Sequence, residues 1–393
     1  MTAQAAAALD VISSESQHKR VQQQVGHRQP SSGSDSSDQE DLITYGLDRR
    51  TTPAEARRTT MQKVDRRPPS TFHLKPRSQM NLAERICLIA LAPDESHYLV
   101  DATVDRGPVP RHPLWKQHWF IWPRAMAPLI IHHLSYRLLP DKRWPIHVAY
   151  PFYLLCYILF AASCLHHLNH YSRVHGTLAE KNIGRDRVPD RSVRQIAIGI
   201  SSYMVIRTGM NFYLGYNENM VPLTDISWTF PARLLMWQIV LDYLFYCYHR
   251  SSHEIDALWS IHQKHHTTKH PTAVLAILAD EPQELLEIFI LPFLTSLLVP
   301  MSFSEMWLTM EVTIYVEMMG HSGIRAYWPH PTLNHVFTWF DAEGIIEDHD
   351  LHHRFGKSGK NYGKQSRIFD RLFGTTTERI ECYGMNGHSP GQA

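Results

Sequence analysis

Cysteine is scarce in this chain and neither sign of charge dominates. The 5 Cys among 393 residues (Cys87, Cys156, Cys164, Cys247 and Cys382) include no CxxC pair, which argues against a secreted disulfide scaffold and against thiolate metal sites. The 39 Lys and Arg stand against 38 Asp and Glu, so no strongly basic surface is implied and no nucleic-acid partner is expected. Residues 1–18 lack the basic start and apolar core of a secretory signal, and their acidic residues count against a mitochondrial presequence. What the chain has in quantity is His, 26 of them, beside 10 Trp, 17 Tyr and 15 Phe. Its mean hydropathy of −0.29 averages a polar beginning with strongly apolar later segments.

Residues 1–80 read as a disordered polar tail. The run from Ser31 to Asp41 offers almost no apolar side chain to offset the entropy of ordering, and Arg pairs follow at Arg49-Arg50, Arg57-Arg58 and Arg66-Arg67. Segment 81–230 reads as membrane-associated and transmembrane helices, 231–380 as the domain that carries the chemistry, and 381–393 as a C-terminal tail. Residues 144–168 hold no Asp, Glu, Lys or Arg and match the roughly 20 residues that a spanning helix needs. Further candidates are 195–216, interrupted by Arg207; 234–248, interrupted by Asp242; 288–304; and 306–320, which carries Glu311 and Glu317. The expected fold class is all-α: an integral membrane helical domain with a cytosolic, histidine-rich cap that binds two metals.

Loop charge orients the chain. Segment 169–194 carries Arg173, Lys181, Arg185, Arg187, Arg191 and Arg194, whereas 217–230 carries no Lys or Arg, so the first loop is cytosolic by the positive-inside rule. Crossing back through 234–248 returns His249 to the cytosolic side, and a hairpin over 288–320 brings His321 out beside His266. Three spans before His249 would place the N-terminus opposite. Either one of them is interfacial or re-entrant, or 126–139 adds a crossing.

Three histidine clusters carry the chemistry: His249-Arg250-Ser251-Ser252-His253, His262-Gln263-Lys264-His265-His266 and His349-Asp350-Leu351-His352-His353. On a helix, positions i, i+3 and i+4 share a face, so each cluster aims its imidazoles in one direction. A zinc site uses three or four protein ligands. Eight clustered His plus His321 exceed one such ion, and two metals are the economical reading. Imidazole alone does not select among Zn, Cu, Fe and Ni. The string His253-Glu254-Ile255-Asp256-Ala257 is not a zinc-protease HExxH, because Ala257 stands where the second His is required.

The order HxxxH, HxxHH, then His321-Ser322-Gly323, then HxxHH resembles the sterol desaturase/fatty acid hydroxylase superfamily, whose members are histidine-box non-haem diiron membrane oxidases. Asp242-Tyr243 before the first box agrees with this, as do Asn361-Tyr362-Gly363 and Phe369-Asp370-Arg371-Leu372-Phe373-Gly374-Thr375 after the last. The resemblance covers roughly 231–376. It implies a multi-pass enzyme of the endoplasmic reticulum membrane with a cytosol-facing site. Such an enzyme uses two Fe ions, O2 and two electrons to hydroxylate a C–H bond of a lipid-like substrate (sterol, sphingoid or fatty acyl, terpenoid or polyketide). Desaturation or oxidative demethylation are alternative outcomes on the same scaffold, and a catalytically silent metal- or lipid-binding membrane protein is the alternative of another class.

The implied ligands, catalytic and metal-binding alike, are His249, His253, His262, His265, His266, His321, His349, His352 and His353. His335 is a candidate tenth, while His270 and His330 read as supporting or structural. The chain departs from the family pattern twice. Glu281-Pro282-Gln283-Glu284 stands where relatives often have His-Pro-x-Glu, and Asp348 stands where many have His directly before the third box. The implied electron source is reduced cytochrome b5 with its NAD(P)H reductase. His270-Pro271-Thr272-Ala273 lacks the glycines of a His-Pro-Gly-Gly haem motif, so a separate donor is expected. The basic run Arg354, Lys357, Lys360, Lys364, Arg367 and Arg371 would either attract an acidic donor or face anionic lipid.

Ligating imidazoles usually donate their second N–H to a carboxylate or carbonyl. Glu317, four residues before His321, shares its helical face, and Asp242, Asp348 and Asp350 lie near boxes, with solvated or ion-paired roles as the alternative. Tyr243, Tyr246 and Tyr248 either wall a substrate channel or are ordinary interface tyrosines.

Overall fold

The structure is a computed structural model that describes residues 69–90, 107–139, 141–178 and 186–385. Most of the expected N-terminal tail and the last residues of the chain lie outside these segments. Among the described residues the architecture is helical, with no strand, only isolated bridges such as Thr177 to Ile324 and Glu343 to Ser366.

The helices are α1 (Leu82–Ala90), α2 (Leu114–Leu138), α3 (Ile146–His175), α4 (Val193–Gly215), α5 (Phe230–Glu254), α6 (Asp256–His262), α7 (Leu291–Leu298), α8 (Phe303–Gly320), α9 (Ile346–Phe355) and α10 (Ile368–Phe373). Helix α8 is the axis of the bundle. It buries 16 of its 18 residues, and α2, α3, α4 and α5 pack around it. A helix apolar on all sides is stable only when neighbours cover every side. Ser302 starts it with a capping box in which Ser302 Oγ accepts from the Glu305 N–H and the Glu305 carboxylate accepts from Ser302 N–H. Glu305 also pairs with Arg233 at 2.5 Å, tying the start of α8 to α5.

One core runs from Phe120 on α2 to Ile346 on α9 and includes Tyr153, Trp237 and Trp307. Segments 81–230 and 231–380 therefore share their packing rather than forming separate cores. Two expected boundaries move for the same reason. Residues 69–80 had read as tail, yet Phe72 is buried beside Val188 and Ile196, and Asp190 accepts from the N–H groups of Thr71 and Phe72. At the other end Cys382 is buried, and the Glu347 carboxylate accepts from the N–H groups of Ile380, Glu381 and Cys382.

Helix α3 is, among the described residues, the helix long and apolar enough to cross a membrane by length and composition. The segments expected as further spans at 195–216 and 234–248 are helical as α4 and α5, and 126–139 lies mostly within α2. The stretch expected at 288–304 differs. One uninterrupted helix opens at Glu281, passes through a π-helical segment, Leu285–Ile290, and continues as α7 to Leu298, so it starts before the expected segment and ends before it does. Arg207, which interrupts the apolar run of α4, is buried and paired with Glu317 at 3.4 Å.

Candidate metal centre

Helix α5 presents His249 and His253 one turn apart near its end, and α6 ends on His262. A short 3-10 turn places His265 and His266, His321 caps α8, and α9 carries His349, His352 and His353. All nine are buried and fall into two groups. His249, His253, His262, His266 and His352 form one; His265, His321, His349 and His353 form the other. Within each group the ligand nitrogens all lie within 4.8 Å of one another. The nine histidines expected from sequence are thus brought together.

Backbone carbonyls fix how these rings are protonated. The Nδ1–H of His249 donates to the carbonyl of Tyr362 at 2.8 Å, that of His253 to Lys357 at 3.1 Å and that of His265 to Leu278 at 3.1 Å. His321 donates to Glu317 at 2.8 Å, His352 to Lys360 at 2.9 Å and His353 to Thr268 at 3.0 Å. A carbonyl only accepts, so each of these rings carries its proton on Nδ1 and turns a bare Nε2 lone pair inward. Burial, reinforced by neighbouring imidazoles, holds His262, His266, His321 and His352 well below the ordinary imidazole range, and His253 at about 4, its fall set by burial. The rings are neutral.

Lone pairs then face lone pairs. His265 Nε2 and His321 Nε2 lie 3.3 Å apart although both rings have spent their proton on a carbonyl. The bare Nε2 atoms of His352 and His249 each stand 3.1 Å from the Nε2 of a ring that no carbonyl holds through Nδ1, His266 and His262 respectively, and these two rings can supply a proton or a lone pair there. The Nε2 atoms of His253 and His353 are buried with no hydrogen-bond partner. Convergent unprotonated nitrogens in a dry site repel one another unless a cation lies between them. The donor set therefore fits metal, and its division into five and four nitrogens fits two ions. Neutral imidazole alone does not choose the element.

The supporting residues differ in part from expectation. Glu317 does meet His321, but through its backbone carbonyl; its carboxylate instead accepts from Tyr203 Oη at 2.5 Å and pairs with Arg207. His335 is not a tenth ligand: its Nε2 faces His118 Nε2 at 3.2 Å, outside both groups. His270 pairs with Asp350 at 3.4 Å, and His330 Nδ1 accepts from the N–H groups of Thr332 and Leu333. Tyr246 is buried and bonds Thr375, Tyr243 is exposed, and neither lines the cavity described below. Nor does Tyr248. The run of basic residues after the third box is largely compensated by carboxylates: Arg354 by Asp350, Lys357 by Asp256, Lys364 by Glu287, Arg367 by Asp348 and Arg371 by Asp341. It is not an open cationic patch.

The strings after the third box that carry the family resemblance have physical roles. Asn361 takes a left-handed conformation (φ 61°), which Asn tolerates. Its amide donates to the carbonyl of Asp348 and accepts from Thr377 N–H. A Cβ at Gly363 would collide with the Ser366 carbonyl. Asp370 accepts from the N–H groups of Tyr362 and Gly363, fixing the carbonyl that orients His249. From the other side, Asp242 accepts from the N–H groups of Lys364 and Gln365 and from Ser366 Oγ. Asp242→Ala strands these donors, so we expect roughly 2–4 kcal/mol of lost stability and a fall in bound metal, read by thermal unfolding and metal analysis. Asp242→Asn keeps an acceptor and should lose less.

Beside the metal centre lies a cavity with about 760 Å³ of empty space, part of it open to the outside. Ala161 and Leu165 of α3, Ile200 and Met204 of α4, and Val274 and Ile277 give it an apolar wall. Its other end is polar, and although no histidine lines it, several of its wall residues adjoin the histidine groups. Gln283 lines it and faces His262; Ala279 follows the carbonyl that holds His265; Glu317 holds His321.

The Fatty acid hydroxylase family model matches residues 234–375. Fatty acid hydroxylase vlmA of Lecanicillium sp is 35% identical over 302 residues, covering 71% of this chain and 81% of the relative. Methylsterol monooxygenase 2-2 of Arabidopsis thaliana is 27% identical over 160 residues, 40% of this chain and 57% of the relative. Human alkylglycerol monooxygenase is 24% identical over 208 residues, 50% of this chain and 43% of the relative. No solved structure matches. The matched segment runs from near the start of the first histidine helix to the Thr375 that closes the loop behind His249, and with the extent of the first of these likenesses it makes the chain a member of the fatty acid hydroxylase family.

Proposed function

We propose that this chain is a membrane-bound, O2-dependent oxidoreductase that hydroxylates a C–H bond of a lipid-like substrate at a diiron centre. The carrying observation is the pairing of five and four neutral imidazoles whose unprotonated nitrogens converge next to an apolar cavity. What supports iron among the metals that imidazole accepts is the resemblance to histidine-box diiron oxidases, with which relatives named hydroxylase and monooxygenase are consistent.

Two bound irons would supply reductive activation of O2, with the balance RH + O2 + 2 electrons + 2 protons giving ROH + H2O. His249, His253, His262, His266 and His352 would hold one ion; His265, His321, His349 and His353 would hold the other. The carbonyls of Tyr362, Lys357, Leu278, Glu317, Lys360 and Thr268 keep those rings in one tautomer and one orientation, which lowers the reorganisation the site needs. The cavity aligns a hydrocarbon segment and excludes water from it. The proposed setting is the endoplasmic reticulum, with α3 and its neighbours in the membrane, the site on the cytosolic side and electrons from a separate cytochrome b5-type donor and its NAD(P)H reductase.

The test is protein purified from membranes, analysed for metal and supplied with reductant, isotopically labelled O2 and a lipid extract. Two irons per chain and a product carrying one labelled oxygen are expected. Loss of two hydrogens without labelled oxygen would make the reaction a desaturation. Iron-loaded, reduced protein that forms no oxidised product from any lipid class would sink the enzymatic reading in favour of a silent metal-binding protein.

A further inference from the structure

The polar end of the cavity holds more carboxylates than it has cations to spare. Lys364 Nζ lies between Glu287 at 3.4 Å and Glu317 at 3.6 Å, with its side chain only 13% exposed. Arg207 is fully enclosed and committed to Glu317, the carbonyl of Glu287 and the sulfur of Met310. Glu284 adds a third carboxyl to the same wall, seated where Gly199 leaves no room for a Cβ. Burial, with Glu281 close by, raises this carboxyl to about 7. Glu287 sits in the π-helical stretch Leu285–Ile290, a local geometry found frequently at functional sites. Gln283 donates to Glu287 at 2.8 Å while facing His262, so this wall is continuous with the metal centre.

We infer that this end of the cavity is a selectivity filter: Glu284, Glu287 and Glu317, with Lys364 already claimed, admit a substrate whose leading end is uncharged and reject one that leads with a carboxylate. An entering anion would give up its water and find Arg207, Lys364 and, near Glu284, Lys264 each engaged by a carboxylate, with three carboxyl groups opposite it, a desolvation without compensation. A methyl terminus or mid-chain methylenes cost nothing of the kind, and a hydroxyl has acceptors waiting. The substrate class is accordingly a lipid that enters hydrocarbon end first, with any anionic or bulky head left outside. This rests on the cavity being the substrate site of the proposed hydroxylase.

The experiment measures equilibrium binding of three radiolabelled single-chain phosphocholines to the iron-loaded protein in nanodiscs. They share head and chain length and end in methyl, hydroxyl or carboxylate; the bulky head cannot enter, so the variable end must. The methyl and hydroxyl probes should bind comparably and the carboxylate probe at least about tenfold more weakly, which is about 1.4 kcal/mol. In Glu287→Gln, Lys364 loses one of its two partners and becomes available to an anion, so the gap should narrow. Glu284→Gln, on the half-exposed rim, is the second variant and should narrow it too. Equal binding of all three probes overturns the filter, as does a gap that neither variant changes; absence of binding by all three removes the cavity as a lipid site. Formation of labelled alcohol, scored separately, decides the hydroxylase reading: oxygenation without discrimination defeats only the filter, and discrimination without oxygenation defeats only the enzyme.

Discussion

Alanine at His253, His265, His321 or His352 should abolish product formation while leaving membrane insertion intact, with the metal content of the affected group falling in parallel. Each substitution removes one inward Nε2 from a group of five or four. Weakening even a hydrogen-bond partner of a metal ligand commonly costs roughly 10–100-fold in affinity or activity, so deleting the ligand itself should cost at least that. The smaller group has less to lose: without His321 three nitrogens remain, and His265 Nε2 loses the ring it faces at 3.3 Å. Metal analysis of the purified variants, beside product assays, separates loss of an ion from loss of fold.

The contrast variants are equally informative. His335→Ala should keep both metal and activity, because His335 touches His118 and neither histidine group. Exposed His166 should tolerate alanine likewise. His132 is a poorer control than its distance from the boxes suggests. It is fully buried, with one ring nitrogen 3.0 Å from Tyr153 Oη and the other 2.8 Å from Tyr136 Oη. Its alanine variant should bind metal yet unfold more easily. Full metal content and activity in both His253→Ala and His352→Ala would defeat the two-ion arrangement.

The two histidine groups were legible because a helix converts spacing into direction: i, i+3 and i+4 put imidazoles on one face, whatever the rest of the chain does. Their partners were not legible, because backbone carbonyls carry no sequence signature. Nothing in the residue type of Lys357, Lys360 or Thr268 announces the carbonyl that orients a ring. Glu317 shows the limit well. Its spacing to His321 was informative, but the atom that serves is main-chain, and its carboxylate is spent on Tyr203 and Arg207 from a helix more than a hundred residues earlier. The basic run after the third box misled for a related reason, since each acid that compensates it comes from elsewhere in the fold or from an adjacent helical turn. Helix α8 could be read as apolar, but its central position depends on four other helices meeting around it.

Arg379→Ala should be the most damaging substitution outside the histidine groups. The guanidinium, with its side chain 5% exposed, bonds both carboxylate oxygens of Asp348 at 2.9 and 2.8 Å and Glu343 Oε1 at 3.0 Å. Glu343 is fully buried and also accepts from Tyr327 Oη. Asp348 begins the turn before the third box: one oxygen accepts from Ile345 N–H, and its carbonyl receives Asn361. Removing the arginine leaves two buried carboxylates without their main cation, a loss of roughly 3–5 kcal/mol against a usual total of about 5–15 kcal/mol. The pH dependence gives the mechanism away. Burial alone would raise the Asp348 carboxyl, but Arg379 and Arg367 hold it below its ordinary value. Its contribution to wild-type stability is therefore complete above the unfolded value of about 3.9 and is lost as pH falls through the lower folded value. In the variant, burial without Arg379 raises the Asp348 carboxyl, so the penalty is greatest at neutral pH and is relieved as acid protonates it. The difference in unfolding free energy between wild type and Arg379→Ala should accordingly shrink as pH is lowered from 7 toward 5, and Arg379→Lys, unable to bridge both acids with a planar fork, should recover only part of it. A difference below about 1 kcal/mol, the range of exposed ion pairs, or one that does not change with pH, would show that Arg379 acts by packing rather than as the counter-ion of the third box.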